Sequence, residues 1–253
     1  MLVFTQLQIK KILKQDLQMK YLNRDQSIID ADDASDAEVP TAQFEAKVQA
    51  LQEQMLSLPP GHHPMEKARL QLDIGPLLLG LEKNEDAWDI ARDAFDVYVE
   101  NESWEGAVIA CEIMFNADQT DSLAALGQGV WLGVTFPDVD PELTVVMLDH
   151  IIDETPEDSD GAALAAATAS YIVDFRTEGK KHEDLQFFTS QRLAEVARRH
   201  SNVETQESFD KWVEKLELND PEKFLVRLRN VVDVLVQESW WIDREAIWAK
   251  LPH

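Results

Sequence analysis

Residues 65–101 read MEKARLQLDIGPLLLGLEKNEDAWDIARDAFDVYVEN and contain two segments with helical periodicity, joined by the polar residues 82–85. In the second segment apolar residues recur every three or four positions and aspartates lie between them: Trp88, Ala91, Phe95 and Val99 against Asp86, Asp89, Asp93 and Asp96. This spacing is typical of an amphipathic helix, and the two-residue period of a strand is absent. The stretch therefore predicts a helical hairpin.

The ends of the two predicted helices are also marked. Asn84 is placed to cap the second helix, and Glu85 and Asp86 follow in its first turn, where the helix dipole favours carboxylates. The first helix carries a similar apolar stripe, made of Leu70, Ile74, Leu77, Leu78 and Leu81. Because Pro76 has no backbone N–H, we expect this helix to kink or divide near Gly75.

Small residues are regularly placed in both halves of the hairpin: Gly75, three residues before Leu78, and then Ala87, Ala91 and Ala94. In this pattern residues 68–101 resemble one tetratricopeptide repeat, whose helices touch at small residues. Three positions depart from the family pattern: Gln71 where Trp or Leu is usual, the foreign Pro76, and Val99 in place of the common closing proline. The resemblance implies stacked helix pairs that present a groove to a peptide or protein. A plain hairpin in a non-repeating bundle is the alternative.

The composition favours an all-helical globular protein. The 253 residues are 45% hydrophobic, which is enough for a real core, and contain only 9 Gly and 10 Pro. The single cysteine, Cys111, has no partner for a disulfide and lies on an apolar stripe, so we expect it in the core. The chain has no apolar run of membrane-spanning length and no secretory signal pattern, which predicts a cytoplasmic protein.

The net charge is strongly negative, at −25, with 48 acidic against 23 basic residues. Such a field repels nucleic acid and anionic lipid and favours encounters with basic partners. Nucleic acid is therefore excluded as an expected partner, and a membrane is disfavoured. An acidic surface is also typical of adaptation to a saline habitat, and the sequence does not separate these two explanations.

Residues 1–24 differ in charge from the rest of the chain. Five basic residues and Asp16 give this segment +4, so the remaining 229 residues carry −29. Its apolar residues fit one side of a helix, which could dock on the acidic body, bind a partner or membrane surface, or be a frayed extension. Residues 25–40 are polar and acidic and are interpreted as a linker to a helical domain over residues 41–253.

Three groups of polar residues were considered as sites of chemistry. Asp32, Asp33 and Asp36 have the DDxxD spacing of diphosphate-binding synthases, but they fall in the predicted linker without a second acidic motif. The adjacent His62 and His63 lack further metal ligands. His150 follows Asp149 directly, and consecutive helical residues point about 100° apart, so this is not an acid–base pair. We therefore predict no catalytic residue, no metal and no cofactor.

Two later stretches carry specific expectations. The predicted helix over residues 121–136 contains Gly127, Gly129 and Gly133, which permit another helix to approach closely. The segment SWWIDREAIWAKL near the end of the chain contains Trp240, Trp241 and Trp248. These tryptophans are interpreted either as a lid over the last layer of core or as an exposed anchor for a partner, and they are the only candidate partner-binding residues from the sequence.

Together these patterns predict an all-α fold of about eleven helices, arranged as stacked antiparallel hairpins in a right-handed, tetratricopeptide-like α-solenoid. Such arrays bind peptides or proteins in an extended groove. The leading hypothesis is therefore a non-enzymatic adaptor, assembly factor or chaperone-like protein with a basic or amphipathic protein partner. The alternatives are a helical enzyme with a carboxylate-bound metal, for which no Glu-x-x-His pair is found, and a purely structural subunit of a larger complex.

Overall fold

The structure, a computed structural model, describes residues 20–22 and 34–250, with residues 34–40 described by their backbone alone. Within these ranges the chain forms eleven helices joined by short turns and no strand, as the sequence predicts. They are α1 (Ala34–Leu56), α2 (Pro64–Gly80), α3 (Asn84–Glu100), α4 (Trp104–Asn116), α5 (Ser122–Thr135), α6 (Pro141–Glu154), α7 (Asp160–Arg176), α8 (Gly179–Ser201), α9 (Gln206–Lys215), α10 (Pro221–Val236) and α11 (Arg244–Trp248).

The helices pack mainly against their neighbours in sequence, as consecutive antiparallel pairs. The first members of successive pairs, α2, α4, α6 and α8, also pack against one another in turn and form one face of the stack. On the side of the second members, α10 packs against both α5 and α7. The predicted stacking of helical hairpins is therefore confirmed, with α10 as an addition that closes one side.

α2 and α3 form the hairpin predicted from residues 65–101. Glu82 between them has a φ of 56°, in the left-handed region that commonly ends helices. α2 continues without interruption from Pro64 to Gly80 with Pro76 inside it, so of the kink or division expected near Gly75 the division does not occur. Asn84 is the first residue of α3 and not its cap, because Lys83 occupies the N-cap position. The Lys83 N–H donates a hydrogen bond to the Leu78 carbonyl at 2.9 Å.

Small residues lie where α3 and its neighbours meet. Ala87, Ala91 and Ala94 are all fully buried, at the positions where the resemblance places small residues. In α2, a Cβ added to Gly75 would come within 2.9 Å of the Ile113 side chain of α4. The absence of larger side chains at these positions is what permits three consecutive helices to pack closely.

A side chain from α7 closes the end of α5. The guanidinium of Arg176 donates to the carbonyls of Gly133, Val134 and Phe136 at 2.8, 2.6 and 3.1 Å. The carbonyls of Gly133 and Val134 belong to the last turn of α5, where no further helical N–H is available to them, and Phe136 directly follows the helix. Burial lowers the pKa of Arg176, against the opposing effect of Asp138. The contact fixes the end of α5 against α7.

The glycines of α5 face neighbouring helices, as the sequence predicts. A Cβ on Gly129 would lie 2.8 Å from the Cβ of Cys111 in α4 and 2.4 Å from the methyl end of Met147 in α6. A Cβ on Gly127 would meet Val236 of α10 at 2.4 Å. Thus α5 is surrounded, and its glycines allow the surrounding helices to come close.

The substitution Gly129→Ala is expected to destabilise the protein by about 1–2 kcal/mol, because overpacking against the rigid Cys111 Cβ outweighs the gain of about 1 kcal/mol in helix propensity. Gly161→Ala is the matched control, since the nearest atoms to its Cβ would be side-chain atoms of Ser159, Thr155 and Val231 at 3.2, 3.3 and 3.8 Å. Urea unfolding of the two variants and the parent chain measures the difference. Equal stability of Gly129→Ala and the parent would contradict the close packing of α5.

Cys111 lies in the core, as expected from its apolar stripe. Its side chain is fully buried in α4, and burial raises the pKa of its thiol. A thiol with a raised pKa and no access to solvent is a poor nucleophile, because the thiolate is the reactive form.

We therefore expect an aromatic disulfide reagent to modify Cys111 in the native protein no faster than the protein opens, and to modify it at once in denaturant. The time course of absorbance with and without urea tests this. Full modification of the native chain within seconds would show that Cys111 is accessible.

The first helix of the body extends further toward the N-terminus than expected. α1 begins at Ala34, so residues 34–40 of the predicted linker are helical, and Asp36 lies on this helix. The other residues of that linker and residues 1–19 and 251–253 lie outside the described part of the chain. Among the described helices, none is long and apolar enough to span a bilayer.

Candidate functional site

Two glutamates lie in the first turns of helices on one face of the stack. Glu105 follows Trp104 at the start of α4, and Glu142 follows Pro141 at the start of α6. Since α4 and α6 are the first members of successive pairs, they run in the same direction and begin at the same end of the stack. The positive end of each helix dipole also favours a carboxylate at this position.

The start of α6 is held firmly. The Asp140 carboxylate accepts the Glu142 N–H at 2.9 Å and receives Lys181 Nζ from α8 at 2.6 Å. At the start of α4, the ring of Trp104 stacks on Phe136 with centroids 4.2 Å apart and an interplanar angle of 14°. Phe136 directly follows α5 and so links the beginning of α4 to the connection that leads into α6. These contacts fix the positions from which the two glutamates project.

A short segment from outside the helical body binds between these glutamates. Glu142 Oε1 accepts the backbone N–H of Tyr21 at 2.6 Å and that of Leu22 at 3.0 Å. The Tyr21 hydroxyl donates to Glu105 Oε1 at 2.9 Å. Segment 20–22 is thus recognised through its main chain by one helix and through its side chain by another.

The tyrosine is taken fully into the core. Tyr21 is only 1% exposed and belongs to the main hydrophobic cluster, and the half-buried Leu22 packs against that cluster. Burial of a large apolar side chain contributes roughly 1.5–3 kcal/mol. Lys20 remains exposed, with its Nζ 2.7 Å from the Tyr21 hydroxyl and 3.9 Å from Glu105. The ring therefore supplies most of the binding, and the lysine adds a solvent-screened charge interaction.

The carboxylate of Glu142 depends on this segment. Glu142 is 3% exposed, and a carboxylate removed from water needs hydrogen-bond donors to replace it. The two backbone N–H groups of Tyr21 and Leu22 are donors of this kind. Hydrogen bonds to a charged group contribute about 1.5–3 kcal/mol, and loss of a partner leaves a buried charge under-satisfied. Glu142 therefore holds the main chain of segment 20–22.

Acidic residues continue along the same face. Glu112 lies two helical turns after Glu105 on α4 and is 5% exposed. On α6, Asp149 lies two turns after Glu142, where it pairs with Arg192 of α8 at 2.5 Å. Burial raises the pKa of Asp149, and the adjacent Arg192 guanidinium opposes this effect. Acidic residues thus recur along the two helices that carry Glu105 and Glu142, and Asp149 is paired with a cation.

Two of the three tryptophans that the sequence offers as candidate partner-binding residues pack into the helical body. The Trp241 ring meets Trp88 and Phe95 of α3 edge to face, with centroids 6.0 and 5.6 Å away, and Arg92 lies 4.6 Å from it. Its backbone N–H donates to Oε1 of the buried Gln128 of α5 at 2.8 Å.

Trp240 also packs inward, against Trp131 with centroids 6.3 Å apart and under Arg244 at 3.7 Å. Trp248, in contrast, is 57% exposed and lines an apolar groove of about 310 Å³ with Trp131, Leu225, Leu228 and Val232. Trp240 and Trp241 are therefore placed as a lid, and only Trp248 is exposed. Partner binding by these tryptophans stays a prediction.

The histidines singled out in the sequence lie in separate local surroundings. His63 caps α2 by accepting the Met65 N–H at 3.3 Å, and the His62 ring lies 3.2 Å from the Pro59 carbonyl oxygen. His150 is half-buried beside Phe115, with ring centroids 4.6 Å apart. In residues 20–22 and 34–250 there is no cluster of three or more His, Cys, Asp or Glu side chains that could hold a metal ion.

Fold and site together define an all-helical protein of stacked antiparallel hairpins that holds a segment of its own chain on an acidic face. Comparison with protein-family models, with curated proteins and with solved structures found no match for this chain. The tetratricopeptide resemblance therefore remains one of helix arrangement and small-residue spacing, and the class is described by architecture alone.

Sequence reasoning missed Tyr21, Glu105 and Glu142. The signals available were weak: one aromatic residue inside the basic segment 1–24, and two glutamates in first turns of helices, where carboxylates are common for reasons of capping. A helix docked on the acidic body was one of three interpretations of residues 1–24, and it stays a prediction; residues 20–22 form a turn that contacts the body. The rest of that segment lies outside the described residues.

The substitution Glu142→Gln is expected to speed the hydrogen exchange of the Tyr21 and Leu22 amides, because a neutral amide oxygen is a weaker acceptor than a carboxylate. Amide exchange followed by NMR measures this, with α7 amides as the internal reference. Glu157→Gln, at an exposed loop position, is the matched control. Unchanged exchange at Tyr21 and Leu22 would contradict the role of Glu142 in holding the segment.

Proposed function

We propose that this chain is a non-enzymatic adaptor, assembly factor or chaperone-like protein that binds a basic or amphipathic segment of another protein. The binding face is formed by α4 and α6 around Glu105 and Glu142. The observation that carries the proposal is the bound segment 20–22, which is held by main-chain and side-chain hydrogen bonds with its tyrosine in the core. A surface that holds one polypeptide segment in this manner supports the binding of another.

The type of contact suits protein recognition. Hydrogen bonds to backbone N–H groups give affinity for a polypeptide largely independent of its side chains, and a pocket for one side chain gives specificity. Here Glu142 supplies the first function and the pocket of Tyr21 the second. The same arrangement has no nucleophile, metal cluster or acid–base pair among the contacts described above, which favours binding over catalysis.

The charge distribution supports a basic partner. Residues 25–253 carry −29, and the bound segment comes from the part of the chain with +4. A strong negative field increases the rate at which a basic partner meets the surface and discourages acidic competitors. Placement in the cytoplasm is part of the same proposal and rests on the composition and the single cysteine.

The proposal is tested by affinity capture from the native lysate with three full-length baits. All carry Tyr21→Ala, which weakens the binding of the chain's own segment 20–22 to the site. The first has no other change, the second adds Glu105→Gln and Glu142→Gln, and the third adds Glu157→Gln and Asp158→Asn. The second and third baits have the same net charge, and both residues changed in the third are exposed.

We expect a stoichiometric protein partner that is held by the first and third baits, lost at least about tenfold from the second, and weakened by salt. Equal capture by the second and third baits would mean that any partner binds through general charge or elsewhere. Absence of any stoichiometric partner on all three baits would also overturn the proposal.

A further inference from the structure

We propose that the partner of this site carries a basic–tyrosine–apolar sequence that takes the place of Lys20, Tyr21 and Leu22, so that the chain's own segment competes with it. The inference rests on the proposed function, because it names the partner of the same site. It goes further by stating what the partner's contacting residues are and why the unbound protein holds a substitute.

The tyrosine is the residue that the site selects most strongly. Its ring is buried to 1% exposure, and its hydroxyl donates to Glu105 Oε1 at 2.9 Å. Phenylalanine would fill the pocket but leave that oxygen without the hydroxyl donor. The Glu105 side chain is 39% exposed and can bind water instead. We therefore expect a segment with phenylalanine at this position to bind only a few-fold more weakly, and a segment with alanine not to bind.

The residues expected on either side of the partner's tyrosine follow from the surroundings of Lys20 and Leu22. Lys20 Nζ is 3.9 Å from Glu105, and the lysine side chain is 67% exposed, so a basic residue here is preferred but contributes little. Leu22 is half-buried against the core, which favours an apolar side chain. Acidic residues at either position would face Glu105 or the apolar surface and are disfavoured.

The chain's own segment competes because it is tethered. Residues 23–33 join Leu22 to the start of α1 at Ala34, and a short linker gives an effective concentration on the order of 1 mM. If the untethered segment would bind with a dissociation constant of about 100 μM or lower, the tethered segment lowers the apparent affinity of an outside ligand by about tenfold or more. The unbound protein thus keeps its site filled, and only a partner with better contacts or more of them displaces the segment.

The test uses a fluorescently labelled synthetic peptide of residues 17–25, LQMKYLNRD, titrated into two full-length chains, the parent and Tyr21→Ala. We expect binding to Tyr21→Ala at least about tenfold tighter than to the parent. The same peptide with alanine in place of tyrosine is expected not to bind, and the phenylalanine version to bind a few-fold more weakly. Adding Glu142→Gln to Tyr21→Ala is expected to remove binding, and adding Glu157→Gln to leave it unchanged.

A second measurement needs no variant and so does not depend on how well Tyr21→Ala folds. Excess unlabelled peptide added to the parent chain is expected to speed hydrogen exchange at the Tyr21 and Leu22 amides, while the alanine peptide has no effect. Each of three results would overturn the inference: equal affinity of the peptide for both chains, equal affinity of the tyrosine and alanine peptides, or unchanged exchange of the Tyr21 and Leu22 amides when the peptide is added.

The two proposals fail separately. If the peptide does not bind but the captured partner still depends on Glu105 and Glu142, the partner sequence inferred here is wrong and the proposed function stands. If the peptide binds as expected but no protein is captured through these glutamates, the tyrosine preference of the site stands and the adaptor function is wrong.

Discussion

The close approach of neighbouring helices through residues without large side chains is the constraint on which the rest of the structure depends. Ala87, Ala91 and Ala94 on α3 and Gly129 on α5 are buried where a bulkier residue would separate the helices. Close stacking of α4, α5 and α6 has a direct result at the surface. It brings the first turns of α4 and α6 near enough that a single tyrosine bonds to a glutamate on one helix while its own N–H bonds to a glutamate on the other.

The carboxylate of Glu142 explains why this place is special on a surface that is acidic in general. In the described part of the chain most acidic side chains are in contact with water, so their charges cost little free energy of folding. Glu142 is buried, and the free energy of removing its charge from water is offset by the helix dipole and by the donors of the bound segment. The negative charge is therefore general, whereas the buried carboxylate and its neighbouring pocket are the features that hold segment 20–22.

The fold was largely predictable because its signals are local. The spacing of Trp88, Ala91, Phe95 and Val99 determines a helix by itself, and the small residues of α3 and α5 indicate which faces meet. One error was local too: the turn before α3 places Lys83 rather than Asn84 at the cap. Of the kink or division expected near Gly75, the division is absent, since α2 runs through Pro76. The packing of α10 between α5 and α7 was not predictable, because it depends on the arrangement of helices far apart in sequence.

The site was not predictable for the same reason. Tyr21 and Glu142 are separated by 121 positions, and nothing about either residue alone indicates that they meet. Three tryptophans lie close together near the end of the sequence and so predict a site there, yet two of these pack inward on α3 and α5. Clustering of conspicuous residues is visible in a sequence, whereas a contact between two ordinary residues requires the tertiary structure.

The same type of hydrogen bond holds a segment near each end of the described chain, because in both a buried side-chain oxygen accepts a main-chain N–H. Gln128 accepts the N–H of Trp241, and Glu142 accepts the N–H groups of Tyr21 and Leu22. A main-chain donor is present in every amino acid but one. Proline is therefore the residue that the Glu142 site rejects at two successive positions, regardless of size or charge. Under the proposed function, proline-rich segments, which other protein-binding surfaces take as ligands, are expected to be poor ligands of this one, and segments with free N–H groups around a tyrosine are expected to fit it.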